Sequence, residues 1–159
     1  DTLYGFGCDA KNDEAIDKIN HLKNRISPMS VIAPSKRVVK SWLNIKELQK
    51  REALSLLDGG KTIIVPVNKN IVSKKICGNN NSLGIRIPNH PFCNLLSNNF
   101  PNPITTTSVN RTKMPAMTEP LKIIKEFSKG VDLIIEDGNI NQKGSEIRML
   151  KKDNWIRIR

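Results

Sequence analysis

The apolar residues of this chain recur at two spacings, one helical and one extended, and they predict the order of its elements. Ile16, Ile19 and Leu22 lie three residues apart, so they share one face of a helix that Asn12 or Asp13 caps. The predicted helices cover residues 12–23, 45–57, 91–97 and 119–127. The predicted strands cover residues 30–33, 62–67, 83–87, 104–108 and 131–135, followed by a hairpin of residues 146–150 and 155–158.

Turn-forming residues separate these segments. Pro34 ends the first strand, Gly59 and Gly60 follow the second helix, and Gly130 follows the fourth. Residues 68–81 are polar and contain three consecutive asparagines, so this stretch is predicted to be irregular. Short strands that alternate with helices predict a mixed α/β domain, and the closing hairpin adds antiparallel strands to it.

The length of 159 residues predicts a single domain with one core. We expect neither a membrane span nor a signal peptide, because the chain has no long apolar run and no basic start followed by an apolar segment. The opening residues 1–5 resemble the end of a strand, so we expect the first strand or strands of the domain to lie upstream. Cys8, Cys77 and Cys93 form no disulfide or metal pattern, which fits a reducing cytoplasm.

The charge of the chain is its unusual property. Lysine and arginine number 26 against 15 aspartate and glutamate residues, a net charge of +11. Such a surplus attracts phosphates, whether of a nucleic acid or a nucleotide, and it also fits a lysine-rich proteome without any such role. Aromatic residues make up only 4%, so any RNA is expected to bind through its backbone rather than by stacking.

No standard catalytic signature is present, neither a nucleophile elbow nor a glycine-rich dinucleotide or Walker loop. His21 and His90 have no cysteine or histidine at metal-ligand spacing, so no metal site is predicted. Polar clusters stand instead at the predicted ends of strands and helices, where ligands of open α/β sheets usually bind. They are Thr2 with Tyr4, residues 23–25, Arg86, residues 105–110 and residues 145–148.

Two of these clusters have competing interpretations. Lys23 and Arg25 follow a helix, where they would either clamp phosphate oxygens or merely oppose the helix macrodipole. The threonines of residues 105–107 suit a phosphate site, but threonine also favours strands. Composition and pattern alone therefore lead to a basic α/β domain with a candidate phosphate site.

At these same clusters the chain resembles the YrdC/TsaC family of threonylcarbamoyl-adenylate synthases. Residues 1–9 are similar to the family's Thr-Asp/Glu-Thr-x-Tyr-Gly-Leu-Gly stretch, and residues 84–91 match its Gly-hydrophobic-Arg-hydrophobic-Pro-x-His-Pro segment. Residues 23–25 match its Lys-x-Arg, residues 108–110 match its Ser-x-Asn, and residues 145–148 resemble a late segment of the bacterial members. The matches stand in family order along nearly the whole chain, which makes the resemblance specific although each motif alone is weak.

The resemblance implies a twisted open sheet with a basic concave cavity that holds ATP and L-threonine side by side. In the implied reaction, threonine and bicarbonate give a carbamate that attacks ATP, forming threonylcarbamoyl-AMP and pyrophosphate for the modification of tRNA. The expected cofactor is Mg²⁺ with the substrate ATP. The expected partners are tRNA or double-stranded RNA on the basic surface and a downstream threonylcarbamoyl transferase complex, with no membrane.

Site residues follow from the motifs by position, with no catalytic acid or base and no metal ligand among them. The implied ATP-binding residues are Lys23, Arg25, Ser82, Ser108, Asn110 and Arg157, with Arg159 as an equal match for the last. The implied threonine-binding residues are Thr2, Arg86, Thr106 and Ser145, with Arg86 pairing bidentately with the threonine carboxylate. Two alternatives stay open, a non-catalytic RNA-binding module and a paralogue or carbamoyl-transfer domain that uses another acceptor.

Alternation along residues 83–87 sharpens the prediction for Arg86. Leu83, Ile85 and Ile87 fall on one face of the strand, and Gly84 and Arg86 fall on the other. We expect Gly84 to leave room beside Arg86 for a ligand.

Overall fold

The computed structural model describes residues 1–159 and contains five α-helices and a seven-stranded mixed sheet. The helices are α1 (Asp13–Lys23), α2 (Lys36–Trp42), α3 (Glu47–Leu56), α4 (Pro91–Asn99) and α5 (Pro120–Phe127). The strands are β1 (Gly5–Phe6), β2 (Ser30–Ile32), β3 (Lys61–Pro66), β4 (Ser82–Arg86), β5 (Ile104–Ser108), β6 (Glu146–Lys151) and β7 (Asn154–Arg157). None of the helices combines the length and apolar character that crossing a bilayer requires.

The strands lie in the order β1-β5-β2-β4-β3-β6-β7. Two neighbouring pairs are parallel, β2 with β4 and β3 with β6, and the other pairs are antiparallel. The mixed α/β class that the sequence predicts is therefore confirmed. The three central strands β2, β4 and β3 carry the most buried residues of the sheet.

One face of the sheet forms the hydrophobic core with the helices. Val31, Ile63, Val65, Leu83 and Ile85 are all at most 1% exposed on this face. The helical residues of the same core are Ile16, Ile19, Val39, Trp42, Ala53, Ile123 and Phe127. Burial on this scale, worth about 1.5–3 kcal/mol for each large aliphatic side chain, fixes which face of each strand points inward.

The opposite face of the sheet carries the residues that point away from this core. The strand register aligns Thr106, Ser30, Gly84, Ile64 and Met149 across five adjacent strands. Two residues farther along, Arg86 of β4 lies opposite Ile32, on the same face as Gly84 because side chains alternate along a strand. The predicted alternation of β4 is thus confirmed.

Helix α1 ends where the sequence predicts, and its end directs two basic residues differently. The Asn12 side chain accepts a hydrogen bond from the Ala15 amide at the start of the helix. At the other end Asn24 adopts a left-handed conformation, φ 53°, and its amide caps the helix. Because Asn24 turns the chain, Lys23 points into the protein interior and Arg25 points toward the face of the sheet opposite the hydrophobic core.

One predicted element is missing, and two observed elements, α2 and the short strand β1, lie outside the prediction. Helix α2 was absent from the prediction, although Ser35 caps it and Val39 and Trp42 bury one face. The predicted strand at residues 131–135 is wrong, because this segment is irregular and Leu133 is 74% exposed. A β-branched run forms a strand only where a partner strand and a packing surface are available, and β6 already occupies the edge of β3.

Gly84 has a packing role that the sequence did not predict. A Cβ atom on Gly84 would lie 2.3 Å from Ser30 Oγ and 3.2 Å from Ser30 Cα on the neighbouring strand. The missing side chain of Gly84 therefore makes room for the Ser30 side chain. Close approach of two strands at a glycine is a packing requirement of the sheet.

We expect Gly84→Ala to destabilise the fold by about 1–3 kcal/mol, because the methyl group overpacks the contact with Ser30. Urea unfolding would measure the loss. The double variant Gly84→Ala with Ser30→Gly should recover part of it, since removing the Ser30 side chain vacates the space, and Ser30→Gly alone is the control. A Gly84→Ala protein as stable as the original would contradict this account of the glycine.

Candidate functional site

A cavity of about 430 Å³ opens on the face of the sheet opposite the hydrophobic core, and we call it the arginine cavity. Its charged lining consists of three guanidinium groups, those of Arg25, Arg86 and Arg159, and it contains no aspartate or glutamate. Hydroxyl and amide groups complete the polar lining: Thr2, Tyr4, Ser30, Thr62, Thr106, Thr107, Ser108, Asn110 and Ser145. Such a lining suits an anion, because every charged group in it is a cation with planar, bidentate donors.

Arg86 is held in the wall of the arginine cavity by the beginning of the chain. Its Nη2 donates to Asp1 Oδ1 at 2.5 Å, its Nη1 donates to Thr2 Oγ1 at 3.3 Å, and its Nε is buried without a partner. Burial lowers the pKa of this guanidinium, which stays charged because arginine is effectively always protonated. The Nη protons that Asp1 and Thr2 do not use leave Arg86 able to bind a further anion, whereas its Nε is enclosed by the protein.

The Asp1 carboxylate also fixes two turns of the backbone. Asp1 Oδ2 accepts hydrogen bonds from the Gly60 amide at 3.2 Å and the Asn89 amide at 3.1 Å. The side chains of Asp1 and Arg86 are each only 11% exposed, so the ion pair is shielded from solvent. Asp1 therefore joins the strand that carries Arg86 to the turns that precede β3 and α4.

Arg25 lies on the other side of the arginine cavity. Its Nη2 donates to Thr107 Oγ1 at 3.0 Å, and its Nε is buried without a partner. Burial lowers the pKa of its guanidinium as well. The Nη protons of Arg25 that Thr107 does not use are therefore available to an anion in the cavity.

Lys23 occupies a different position from Arg25, although only one residue separates them. It is 2% exposed and does not line the arginine cavity. Its ammonium donates to the Ser108 carbonyl, to the Asn110 carbonyl at 3.0 Å and to Asn110 Oδ1 at 2.6 Å. Burial, and secondarily the charge of Arg25, lowers the pKa of Lys23 to about 8.

The segment from Ser108 to Asn110 is built around these contacts. Ser108 Oγ donates to Asn110 Oδ1 at 2.8 Å, and Asn110 Nδ2 donates to the Met114 carbonyl. On the far wall, Thr62 Oγ1 and Ser145 Oγ share a hydrogen bond of 2.9 Å between two buried side chains. Hydroxyl groups from β3, β5 and the residue before β6 therefore line the arginine cavity.

The two late arginines lie in different places. Arg159 lines the arginine cavity, and its Nε donates to the Ser145 carbonyl at 3.1 Å. Arg157 pairs with Arg148 in the β6–β7 register and lies 3.8 Å from the Glu146 carboxylate, with its side chain 69% exposed. Of the two equal matches left open by the sequence, the structure brings Arg159 rather than Arg157 to the cavity.

The remaining predicted residues divide as follows. Seven lie together in the arginine cavity: Thr2, Arg25, Arg86, Thr106, Ser108, Asn110 and Ser145. Ser82 lies in an adjoining groove of about 940 Å³, which shares Pro28, Met29 and Ser30 with the cavity. Lys23 lies behind the cavity wall, and Arg157 lies outside it.

Sequence reasoning assigned no site role to Asp1 or Tyr4. The Tyr4 hydroxyl accepts from the Asp137 amide at 2.8 Å and donates to the Gly138 carbonyl at 2.6 Å, so it anchors the irregular segment of residues 131–144. His90 Nε2 lies 3.1 Å from the Asp137 carboxylate on the same segment. Tyr4 was visible as part of a polar cluster, whereas no local pattern pairs Asp1 with a residue 85 positions away.

Comparison with known proteins gives consistent matches. The family model Sua5_yciO_yrdC, described as "Telomere recombination", matches residues 1–159. A putative threonylcarbamoyl-AMP synthase of Methanocaldococcus jannaschii is 33% identical over 165 residues, covering 100% of this chain and 75% of that protein. The threonylcarbamoyl-AMP synthase of Photobacterium profundum is 28% identical over 161 residues, covering 98% of this chain and 86% of the relative.

Solved structures share the fold. P. abyssi Sua5, crystallised with L-threonine, superposes with a TM-score of 0.84 at 23% identity, over 99% of this chain. The chain spans 47% of the length of that protein. E. coli YciO superposes with a TM-score of 0.88 at 21% identity, over 100% of this chain and 79% of its own.

The placement of the late arginines predicts unequal effects on anion binding. We expect Arg159→Met to weaken the binding of inorganic pyrophosphate about tenfold or more, because a charge-assisted hydrogen bond contributes about 1.5–3 kcal/mol. Arg157→Met, the matched control, should stay within about twofold of the original protein because its side chain lies outside the cavity. Isothermal titration calorimetry would measure both, and equal losses would contradict this placement.

Proposed function

The chain belongs to the Sua5/YciO/YrdC family, and on that premise we propose that it synthesises threonylcarbamoyl-AMP. The substrates are L-threonine, ATP and bicarbonate, and the products are threonylcarbamoyl-AMP, pyrophosphate and water. The enzyme is accordingly a nucleotidyltransferase that serves the modification of tRNA. The relatives named as threonylcarbamoyl-AMP synthases and the P. abyssi Sua5 complex with L-threonine support the proposal.

The observation that carries the proposal is the charge of the arginine cavity. Three guanidinium groups and a ring of hydroxyls face one space, and no carboxylate faces it. Both ATP and threonine present anions, a triphosphate and a carboxylate. Bringing these two anions together requires cations on either side of them, and Arg25, Arg86 and Arg159 supply those cations.

Arg86 is proposed to bind the threonine carboxylate. Asp1 and Thr2 hold its guanidinium in the cavity wall, and the Nη protons that they do not use are proposed to contact the carboxylate oxygens. Thr2, Thr106 and Ser145 line the cavity around it and are proposed to complete the threonine site. Their hydroxyls suit the hydroxyl and amino groups of threonine, because each hydroxyl both donates and accepts.

The nucleotide is proposed to lie against Arg25, Ser108, Asn110 and Arg159, with Ser82 in the adjoining groove as a further contact. The arginine cavity and the groove are continuous through Pro28, Met29 and Ser30. A nucleotide is longer than either threonine or a phosphate group, so it requires the two spaces together. The triphosphate would then approach the threonine site from the side of Arg25.

The proposed chemistry needs positioning more than acid–base catalysis. The amino group of threonine attacks the carbon of bicarbonate to form a carbamate, and water leaves. A carbamate oxygen then attacks the α-phosphorus of ATP, and the bond from that phosphorus to the bridging oxygen of pyrophosphate breaks. The lining contains no aspartate, glutamate or histidine, so this chain contributes by holding the reactants together and by stabilising charge on the departing pyrophosphate.

Magnesium is proposed to enter with ATP as part of the substrate. Mg²⁺ sites in proteins use carboxylates together with substrate phosphates, and the arginine cavity has no carboxylate in its lining. The residues present therefore do not form a resident magnesium site, and no step above depends on one.

Association with tRNA and a cytoplasmic location are part of the same proposal. The net charge of +11 favours binding of an RNA backbone, and the three cysteines are free thiols, as a reducing compartment would keep them. The product would pass to a downstream threonylcarbamoyl transferase complex. An RNA-binding module without chemistry, or a paralogue that uses another acceptor, would share the basic charge but not the dependence on threonine.

Pyrophosphate release that requires threonine tests the proposed function directly. With ATP, Mg²⁺ and bicarbonate present, we expect release to depend on L-threonine and to exceed that with serine or valine. Serine lacks the methyl group and valine lacks the hydroxyl, so each leaves part of the pocket unfilled or unpaired. Release that is equal with all three amino acids, or absent with threonine, would overturn the proposal.

Arg86→Lys tests the proposed threonine contact. Lysine keeps the charge opposite Asp1 but loses the planar two-point contact. We expect the KM for threonine to rise at least tenfold, about 1.4 kcal/mol, while ATP binding and thermal stability stay near their original values. Arg157→Lys is the matched control, and an unchanged threonine dependence in a folded Arg86→Lys protein would remove Arg86 from the site.

A further inference from the structure

Lys23 has no free donor to offer a ligand. A lysine ammonium has three protons, and the structure gives Lys23 three acceptors, the Ser108 and Asn110 carbonyls and Asn110 Oδ1. The residue is 2% exposed and lies outside the lining of the arginine cavity. A phosphate contact would require withdrawing the ammonium from one of these oxygens, and a buried acceptor left without a partner costs about 1–3 kcal/mol.

The surroundings of Lys23 fix it further. Its Nζ lies 5.7 Å from the centre of the Phe6 ring, on the strand that begins the sheet. Its own carbonyl accepts from both the amide and the hydroxyl of Thr112, at 2.9 and 2.8 Å. Arg25 is the charged group that acts on it, and no carboxylate forms an ion pair with it.

We infer that Lys23 is a positioning residue, which holds the segment from Ser108 to Asn110 in the shape that receives the nucleotide and does not touch the phosphates. The inference rests on the proposed function and revises the role that the family motif implies for this lysine. Phosphate contact is left to Arg25 and Arg159, which line the cavity with donors. The two basic residues of the Lys-x-Arg motif thus have different roles. Lys23 supports the cavity wall from behind, and Arg25 is part of the wall.

The two roles differ in how they depend on the number of phosphates. A residue that touches a phosphate affects ATP but not adenosine, which has none. A residue that shapes the segment under the nucleotide affects both ligands by a similar factor. Arg25 lies two positions away and lines the cavity, so Arg25→Met is the matched control for Lys23→Met.

The experiment measures the binding of adenosine and of ATP, without threonine, to the two variants and the original protein. We expect Lys23→Met to weaken both ligands at least tenfold, by factors that agree within about threefold, because both ligands are proposed to rest on the segment that Lys23 holds. Arg25→Met should weaken ATP at least tenfold more than adenosine, as loss of a charge-assisted contact predicts. A Lys23→Met protein that loses ATP affinity selectively would overturn the inference.

Two further measurements keep the inference testable if Lys23→Met folds poorly or if nucleotide binding fails. Hydrogen exchange of the ligand-free variant should quicken at the amides of residues 108–112 and stay unchanged there in Arg25→Met. In the original protein, raising the pH from 7 to 9 removes a proton from Lys23, whose pKa is about 8. Adenosine and ATP affinities should then fall together, and Lys23→Met should lack this pH dependence.

The outcomes separate this inference from the proposed function. An original protein that binds neither adenosine nor ATP would overturn the proposed function, while the exchange rates at residues 108–112 would still decide what Lys23 holds. Unchanged exchange in a folded Lys23→Met protein would overturn the positioning role, even if threonine-dependent pyrophosphate release were observed.

Discussion

The buried ion pair between Asp1 and Arg86 is the interaction on which the geometry of the site depends. It joins the first residue of the chain to the central strand β4, and the second carboxylate oxygen of Asp1 binds the Gly60 and Asn89 amides. Removing one partner of a buried pair costs about 3–5 kcal/mol, because the other charge is left without compensation. A single carboxylate thereby fixes the guanidinium and the two turns around it together, and leaves the cavity itself free of negative charge.

That arrangement explains how one cavity can hold three guanidinium groups despite the repulsion between their charges. The Asp1 carboxylate balances the charge of Arg86, and Arg159 Nε donates a hydrogen bond to the Ser145 carbonyl. Arg25 has only a threonine hydroxyl as a partner. The cost of burying these groups appears in the lowered pKa values of Arg25 and Arg86 and is offset when an anion enters.

The sequence predicted the fold class and seven residues that line one cavity, because these depend on patterns that are local in the chain. Alternation in β4 placed Arg86 on the correct face, and motif order brought together seven residues that share the arginine cavity. Lys23 and Arg25 look equivalent in sequence, yet the left-handed Asn24 between them sends one into the interior and the other into the cavity wall. Arg157 and Arg159 match the family's late arginine equally well, and the sequence does not show how the chain turns after β7.

Interactions between distant segments were not predicted, because they leave no local pattern in the sequence. Ser30 fills the space of Gly84 only because β2 and β4 pair in a particular register, and no local pattern contains that register. Residues 131–135 have the composition of a strand, but a strand also needs a free partner. The edge of β3 is already paired with β6. What remained unpredicted is therefore tertiary in origin.

The strand order has a consequence for how the protein folds. Only β3 with β4 and β6 with β7 are neighbours both in the sheet and in the chain, so most of the sheet forms through contacts between remote segments. Chains dominated by such contacts fold slowly, because large loops must close before the contacts that stabilise them exist. The arginine cavity draws on residues from Thr2 to Arg159, so a nascent chain has no complete cavity until residue 159 has emerged from the ribosome. An anion that binds across the whole arginine cavity can therefore stabilise only a fold that already includes residue 159.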